Sequence, residues 1–372
     1  MSRMDIVVRN LLCLLRVGVF GQEEEVEPMS AWKWHRMYEL AVTHHVAALV
    51  VDGIEACRSQ FFMHIPDEQW QQWNRALYDT EQACKQQNLC LTALVQQLAD
   101  NQLRPIVLKG QALAVWYKQP FHRMAGDIDL FFPYETQAKK ADRWAFAKGS
   151  DLDDSMKGLL GYRWNGAKVE HHRHVERLTN LLLNRQLSSI VERELREQSP
   201  CRVVVNSRNV ETLPPTLAVL HCLLHISHYL LNDGLALKQL VDLGVYMRSN
   251  GQNVDFVKLQ DWIETLSLER VAQVAGLLLQ DLLHFTPDEL PFMDDDTRVS
   301  VARLKEELFA HKPLDGDDWY FTQGSSIFVH SSNNSALMWK LGHSVHHYKY
   351  YPKESVTNLM ASLAHSLSHI EE

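Results

Sequence analysis

The stretch Asp127-Ile128-Asp129-Leu130-Phe131-Phe132, closed by Pro133, constrains the fold more than any other part of the chain. Its length and apolar residues predict a strand, in which alternate side chains share a face. Asp127 and Asp129 then project together, while Ile128 and Leu130 pack on the other side. One face must meet a core and the other must look into a polar space. Two carboxylates this close repel each other, and a structure tolerates that most easily with a cation between them. Magnesium suits such a pair. An Asp-x-Asp pair alone also occurs at solvated strand ends, so the surrounding residues decide.

Upstream, Arg104-Pro105-Ile106-Val107-Leu108 reads as a short buried strand ended by Lys109-Gly110, with a short helix over Ala112 to Tyr117. A strand leading through glycine into a helix exposes backbone N–H groups that can receive a phosphate. Lys109 adds charge there, and Arg123, four residues before Asp127, could add a forked contact to phosphate oxygens. Downstream, Asn165-Gly166 predicts a tight hairpin between Tyr162-Arg163-Trp164 and the strand Ala167 to His172. If the returning strand lies beside Asp127, Glu170 reaches the same face as a third carboxylate, and His172 shares that face. Three carboxylates could position one or two Mg²⁺ ions with substrate phosphates. A polar helix over Glu135 to about Lys148 and a second ribbon over Arg202 to Leu213, turning near Asn206-Ser207, complete this middle part.

Both flanks show helical spacing. Ile6 to Phe20 predicts an amphipathic helix, ended at Gly21 and the acidic run Glu23 to Glu27 with Pro28, and Ser30 is placed to cap the next. Apolar residues recur through Trp34, Met37 and Leu40, and through Leu77, Cys84, Leu91, Leu94 and Leu98. From Pro214 onward the chain is helical again, strongest over Leu217 to Leu231, Ala236 to Met247 and Arg270 to Leu283. The expected architecture is α+β: a small mixed sheet over 101–213 between an N-terminal helical region over 1–100 and a C-terminal helical domain over 214–372.

The 46 acidic residues exceed the 37 basic ones, a formal charge of -9, which disfavours bulk nucleic-acid binding. A nucleotide-sized anion needs only a few local positive groups. Cys13, Cys57, Cys84, Cys90, Cys201 and Cys222 are scattered without paired spacing, against a disulfide framework or zinc ribbon and in favour of a reducing cytoplasm. Arg9, Asn10 and Arg16 interrupt the apolar run an export signal needs, and no stretch reaches the roughly 20 apolar residues of a membrane span.

Nineteen histidines are many for 372 residues. His221, His225 and His228 fall at i, i+4 and i+7, a spacing that serves a metal or a packed interface, and His225 or His228 is a candidate for the substrate cleft. His343, His346, His347, His365 and His369 lack a ligand of another type at suitable spacing. Lys238 is a candidate triphosphate contact, with Asp242 one turn later as its i, i+4 partner.

In order and character, Val107 to Tyr117, Arg123 and Gly126-Asp127-Ile128-Asp129-Leu130 resemble the signature of the bacterial uncharacterised nucleotidyltransferase family, a branch of the DNA polymerase β-like superfamily. The resemblance extends over roughly residues 1 to 290, including Trp34 to Val46, Val169-Glu170-His171-His172 and Leu237 to Leu243. Many superfamily members carry Gly-Ser where this chain has Lys109-Gly110. The resemblance implies Asp127 and Asp129 as metal ligands and Glu170 as the third carboxylate. It further implies attack of an acceptor hydroxyl on the α-phosphorus of a nucleoside triphosphate, probed first with ATP, with loss of pyrophosphate. The acceptor would be a small molecule, a glycan precursor or a protein. A catalytically silent nucleotide-binding module of the same fold is the rival reading, and a zinc hydrolase built on the histidines a third.

Overall fold

Asp5 starts the first helix by accepting the Val7 N–H at 3.2 Å, and left-handed Gly21 (φ 68°) ends it. The computed structural model describes residues 4–155, 158–232, 234–294, 296–310 and 348–368. Four helices come first: α1 (Ile6–Phe20), α2 (Ala31–Thr43), α3 (Ala47–Ala56) and the 34-residue α4 (Asp67–Asp100). Ser30 stands at the N-cap of α2, yet its side chain makes no capping hydrogen bond.

The middle part runs β1 (Ile106–Val107), α5 (Gln111–Ala114), β2 (Ile128–Phe131), α6 (Glu135–Lys148), β3 (Ser150–Asp153), β4 (Leu159–Trp164), β5 (Ala167–His172), α7 (Leu181–Glu197), β6 (Cys201–Val205) and β7 (Arg208–Thr212). The C-terminal helices are α8 (Pro215–Leu231), α9 (Leu237–Asn250), α10 (Phe256–Leu266), α11 (Glu269–Leu283), α12 (Ala302–Leu308) and α13 (Pro352–Ser368). This is the expected α+β arrangement, a mixed sheet among many helices. Two elements had not been anticipated: α7, and β3, whose four residues are all exposed. No helix among the described residues is long and apolar enough to cross a membrane.

Two turns set the sheet. Asn165 (φ 48°) and Gly166 (φ 83°) join β4 to β5, and Asn206 (φ 45°) with Ser207 (φ 63°) joins β6 to β7. The strand order is β3-β4-β5-β2-β1-β7-β6. β2 runs parallel to β5 and β1 parallel to β7, and the other pairs are antiparallel. The register between β2 and β5 sets Ile128 opposite Val169, and Asp129 opposite Glu170.

One face of the sheet is apolar. Ile128, Leu130 and Val169 cluster with Leu91, Leu94 and Leu98 of α4 and with Ala138, Ala141 and Ala145 of α6. A second, continuous cluster joins α1–α3 to α8–α11, so helices from both ends of the chain share one core. Arg16 ties them by donating to the Leu282 carbonyl at 2.8 Å.

The α1–α3 contact relies on two glycines. A Cβ on Gly18 would stand 2.6 Å from the Leu49 carbonyl oxygen, and one on Gly53 would run into the Leu14 carbonyl. Gly53→Ala is therefore expected to lower stability by about 2–3 kcal/mol through overpacking, read as a shift in the urea midpoint. An unchanged midpoint would contradict this close crossing.

Candidate functional site

Because β2 and β5 are parallel neighbours, their polar faces bring Asp127, Asp129, Lys168, Glu170 and His172 together. His172 Nε2 lies 2.9 Å from Asp129 Oδ1 and 3.4 Å from Glu170 Oε2. Asp129, Glu170 and His172 each offer a ligand atom within 4.8 Å of the others, the one such group of three or more His, Cys, Asp or Glu among the described residues. Their oxygens suit a hard divalent cation such as Mg²⁺, with the imidazole hydrogen-bonded to both carboxylates. Lys109, at the end of β1, places its ammonium 3.3 Å from Asp129 Oδ1. Gly110 follows with φ 63°, a left-handed conformation open to glycine at little cost.

α4 holds the segment before β2 in place. Gln87 donates to the Gly126 carbonyl, and the Cys84 thiol to the Arg123 carbonyl at 3.2 Å.

The charges in this group differ sharply. Burial pushes Asp129 toward the neutral form, but Lys109 and His172 overcome it and hold its carboxyl well below the usual range. Burial also opposes ionised Glu170, where His172 keeps the group low. Asp127 is pushed up by burial and by Glu170, against the pull of Lys168. His172 is raised to about 9 despite burial, because Asp129 and Glu170 stabilise its charged form.

An open cleft is lined on this side by Lys109, Gly110, Asp127 and Asp129, and α8 and α9 form its far wall. Lys238 of α9 lines it, half-buried and without an ion-pair partner among the described residues. Burial, and Arg123 nearby, lower its pKa to about 8. The i, i+4 pairing expected between Lys238 and Asp242 does not form. Asp242 instead accepts from Arg123 Nε at 2.7 Å and Nη2 at 2.7 Å, and from the Tyr117 hydroxyl at 2.6 Å. Arg123 borders the cleft, but the fork expected to meet phosphate is engaged with Asp242, because a buried guanidinium needs a buried carboxylate.

The histidine stripe of α8 turns toward this wall. His225 and His228 each place Nδ1 3.8 Å from a Glu176 oxygen, His225 lines the cleft, and His221 is buried. His343, His346, His347 and His369 lie outside the described residues, as does the side chain of His365. Lys168 and Glu176 had not been singled out. Strand alternation from Glu170 would have found Lys168, whereas nothing local marks Glu176.

Against the start of α9, His45 (φ 57°) has its pKa lowered to about 4, by burial and then by Lys238. The unfolded chain takes up this proton near the ordinary value of 6.5, before the folded chain does, so stability drains away as pH falls from 6.5 toward 4. At about 1.4 kcal/mol per pKa unit, His45→Asn, which tolerates the left-handed backbone, should lose about 2 kcal/mol less than the parent between pH 6.5 and 4.5. Equal losses in paired urea titrations would remove His45 as the cause.

Residues 30–284, more than half of the chain, match the profile of a family described as uncharacterised nucleotidyltransferase. No curated protein matches the chain. Among solved structures, the antigenic nucleotidyltransferase-like protein from Paracoccidioides brasiliensis is similar at 15% identity and a TM-score of 0.32, over 54% of this chain and 98% of that one. So distant a likeness carries no argument.

Proposed function

The chain belongs to the uncharacterised nucleotidyltransferase family, and from that premise we propose that it is a Mg²⁺-dependent enzyme moving a nucleoside monophosphate from a triphosphate, ATP first among those to test, to an acceptor hydroxyl. The hydroxyl would belong to a small molecule, a glycan precursor or a protein. The observation that carries this reading is the convergence of Asp127, Asp129 and Glu170 on one face of two paired strands, with the Lys109 ammonium 3.3 Å from Asp129 at the cleft wall.

Asp129 and Glu170 would hold the ion, with Asp127 beside them on the same face and His172 orienting Asp129 and Glu170 through the hydrogen bonds it makes. When bound, Mg²⁺ supplies charge neutralisation at the phosphates and lowers the pKa of an acceptor hydroxyl. The protein's own part is positioning and preorganised charge. Lys109 meets the phosphates beside the ion, and Gly110 lets the backbone turn there without side-chain strain. Lys238 lies on the opposite wall, where its ammonium can reach the triphosphate from the helical side. Arg123, anchored to Asp242, fixes the approach of α9 to the loop before β2 and so sets where Lys238 stands.

Calorimetric titration of the full chain with a non-hydrolysable ATP analogue tests this. Binding should be seen with Mg²⁺, be lost in EDTA, and weaken at least tenfold in Lys109→Met, since charge-assisted contacts to phosphate contribute about 1.5–3 kcal/mol. No Mg²⁺-dependent triphosphate affinity in the parent protein would sink the reading.

A further inference from the structure

The acidic face carries a cation of its own. Extending the register of Ile128 with Val169 by one step sets Lys168 directly opposite Asp127, on the same face as Glu170 two residues later. Its ammonium lies 2.9 Å from Asp127 Oδ2 and 2.9 Å from Glu170 Oε1. The other Glu170 oxygen looks the opposite way, 3.4 Å from His172 Nε2, the nitrogen that Asp129 Oδ1 also meets. Two cation positions therefore share Glu170. One, between Asp127 and Glu170, holds the lysine. The other is bounded by Asp129, Glu170 and His172.

Resting on the nucleotidyltransferase reading, we propose that Lys168 is a resident cation standing in for one divalent ion, so that the centre takes a single Mg²⁺, on Asp129 and Glu170. Ammonium-to-carboxylate separations of 2.9 Å are ordinary charge-assisted hydrogen bonds. A divalent ion between Asp127 and Glu170 would either stand against that ammonium, with strong repulsion at such range, or force the Lys168 side chain out of both of its 2.9 Å contacts. One ion completed by phosphate oxygens and water matches the way Mg²⁺ is commonly held, by one or two carboxylates. Lys168 then keeps positive charge beside Asp127 before any ligand arrives.

The test is Mn²⁺ titration of the full chain with the non-hydrolysable ATP analogue, read by electron paramagnetic resonance. The parent protein should bind one Mn²⁺ with an isolated-ion spectrum. Lys168→Met should bind two, with the coupled signal of ions about 3.5–4 Å apart, and Lys168→Arg should return to one. Lys168→Gln serves if the Met variant fails to fold, with urea midpoints as the check. Two coupled ions in the parent protein would overturn the proposal and leave the nucleotidyltransferase reading standing. A single ion in the Met and Gln variants would overturn it as well. No bound Mn²⁺ in any of these proteins would remove the metal reading itself.

Discussion

Asp129→Asn should reduce Mg²⁺-dependent nucleotidyl transfer by about 10²–10³-fold or more, the loss seen when one preorganised charge contact at a reacting centre is removed. Asp129 is 1% exposed and meets both Lys109 and His172, so its carboxylate is fixed before any substrate arrives. Asparagine keeps the shape and can still accept from His172, which separates loss of charge from loss of structure. A urea midpoint near that of the parent protein should accompany the loss of activity. Asp261→Asn, on the exposed side of α10, removes a carboxylate outside the cleft lining and should change transfer less than twofold. If Asp129→Asn retains more than a tenth of the parent activity, the acidic face of β2 and β5 is not where the chemistry occurs.

The largest effect on stability is expected at Arg123 and Asp242. Their side chains are 5% and 8% exposed, and the two hydrogen bonds between them are each 2.7 Å. Asp242→Asn leaves a buried guanidinium without its counter-charge, and Arg123→Met leaves a buried carboxylate without the guanidinium, keeping its hydrogen bond from the Tyr117 hydroxyl. Either change should cost about 3–5 kcal/mol, because breaking a buried pair strands the remaining charge. The double variant Arg123→Met with Asp242→Leu removes both charges and should recover most of that loss. Urea denaturation of the four proteins reads the result. Single variants within 1 kcal/mol of the parent would show that the pair contributes little to holding α9 against the loop before β2.

The acidic face was legible in the sequence because alternation is a strict rule. Asp127 and Asp129 share a face whatever the rest of the chain does, and Asn165-Gly166 fixes the return strand that brings Glu170 and His172 beside them. The same rule reaches Lys168, two residues before Glu170. Arg123 was legible as a residue near the site but not in its partner. Asp242 stands 119 positions away, so only the packing of α9 reveals the pair. Glu176 escaped for the same reason, since it meets His225 and His228 through tertiary contact and follows no local pattern.

Among the elements, β1 proved shorter than the apolar run Arg104 to Leu108 suggests: Ile106 and Val107 alone pair in register, and beyond them the Leu108 N–H donates to the Asp129 carbonyl at 3.1 Å as the chain turns at Lys109-Gly110. The joint core of α1–α3 with α8–α11 had no sequence signature either. Within it, Gly18 and Gly53 let α1 and α3 approach each other, and Arg16 contacts Leu282 across most of the chain.

The most direct measurement is the fate of label from ATP carried separately at the α- and γ-phosphorus, with the full chain, Mg²⁺ and a cell extract as the source of acceptors. The account predicts that α-label becomes attached to an acceptor while γ-label leaves as pyrophosphate, both abolished by EDTA and by Asp129→Asn. Transfer or release of the γ-phosphate alone would contradict it, and so would tight ATP binding with no pyrophosphate formed, the behaviour of a silent binding module.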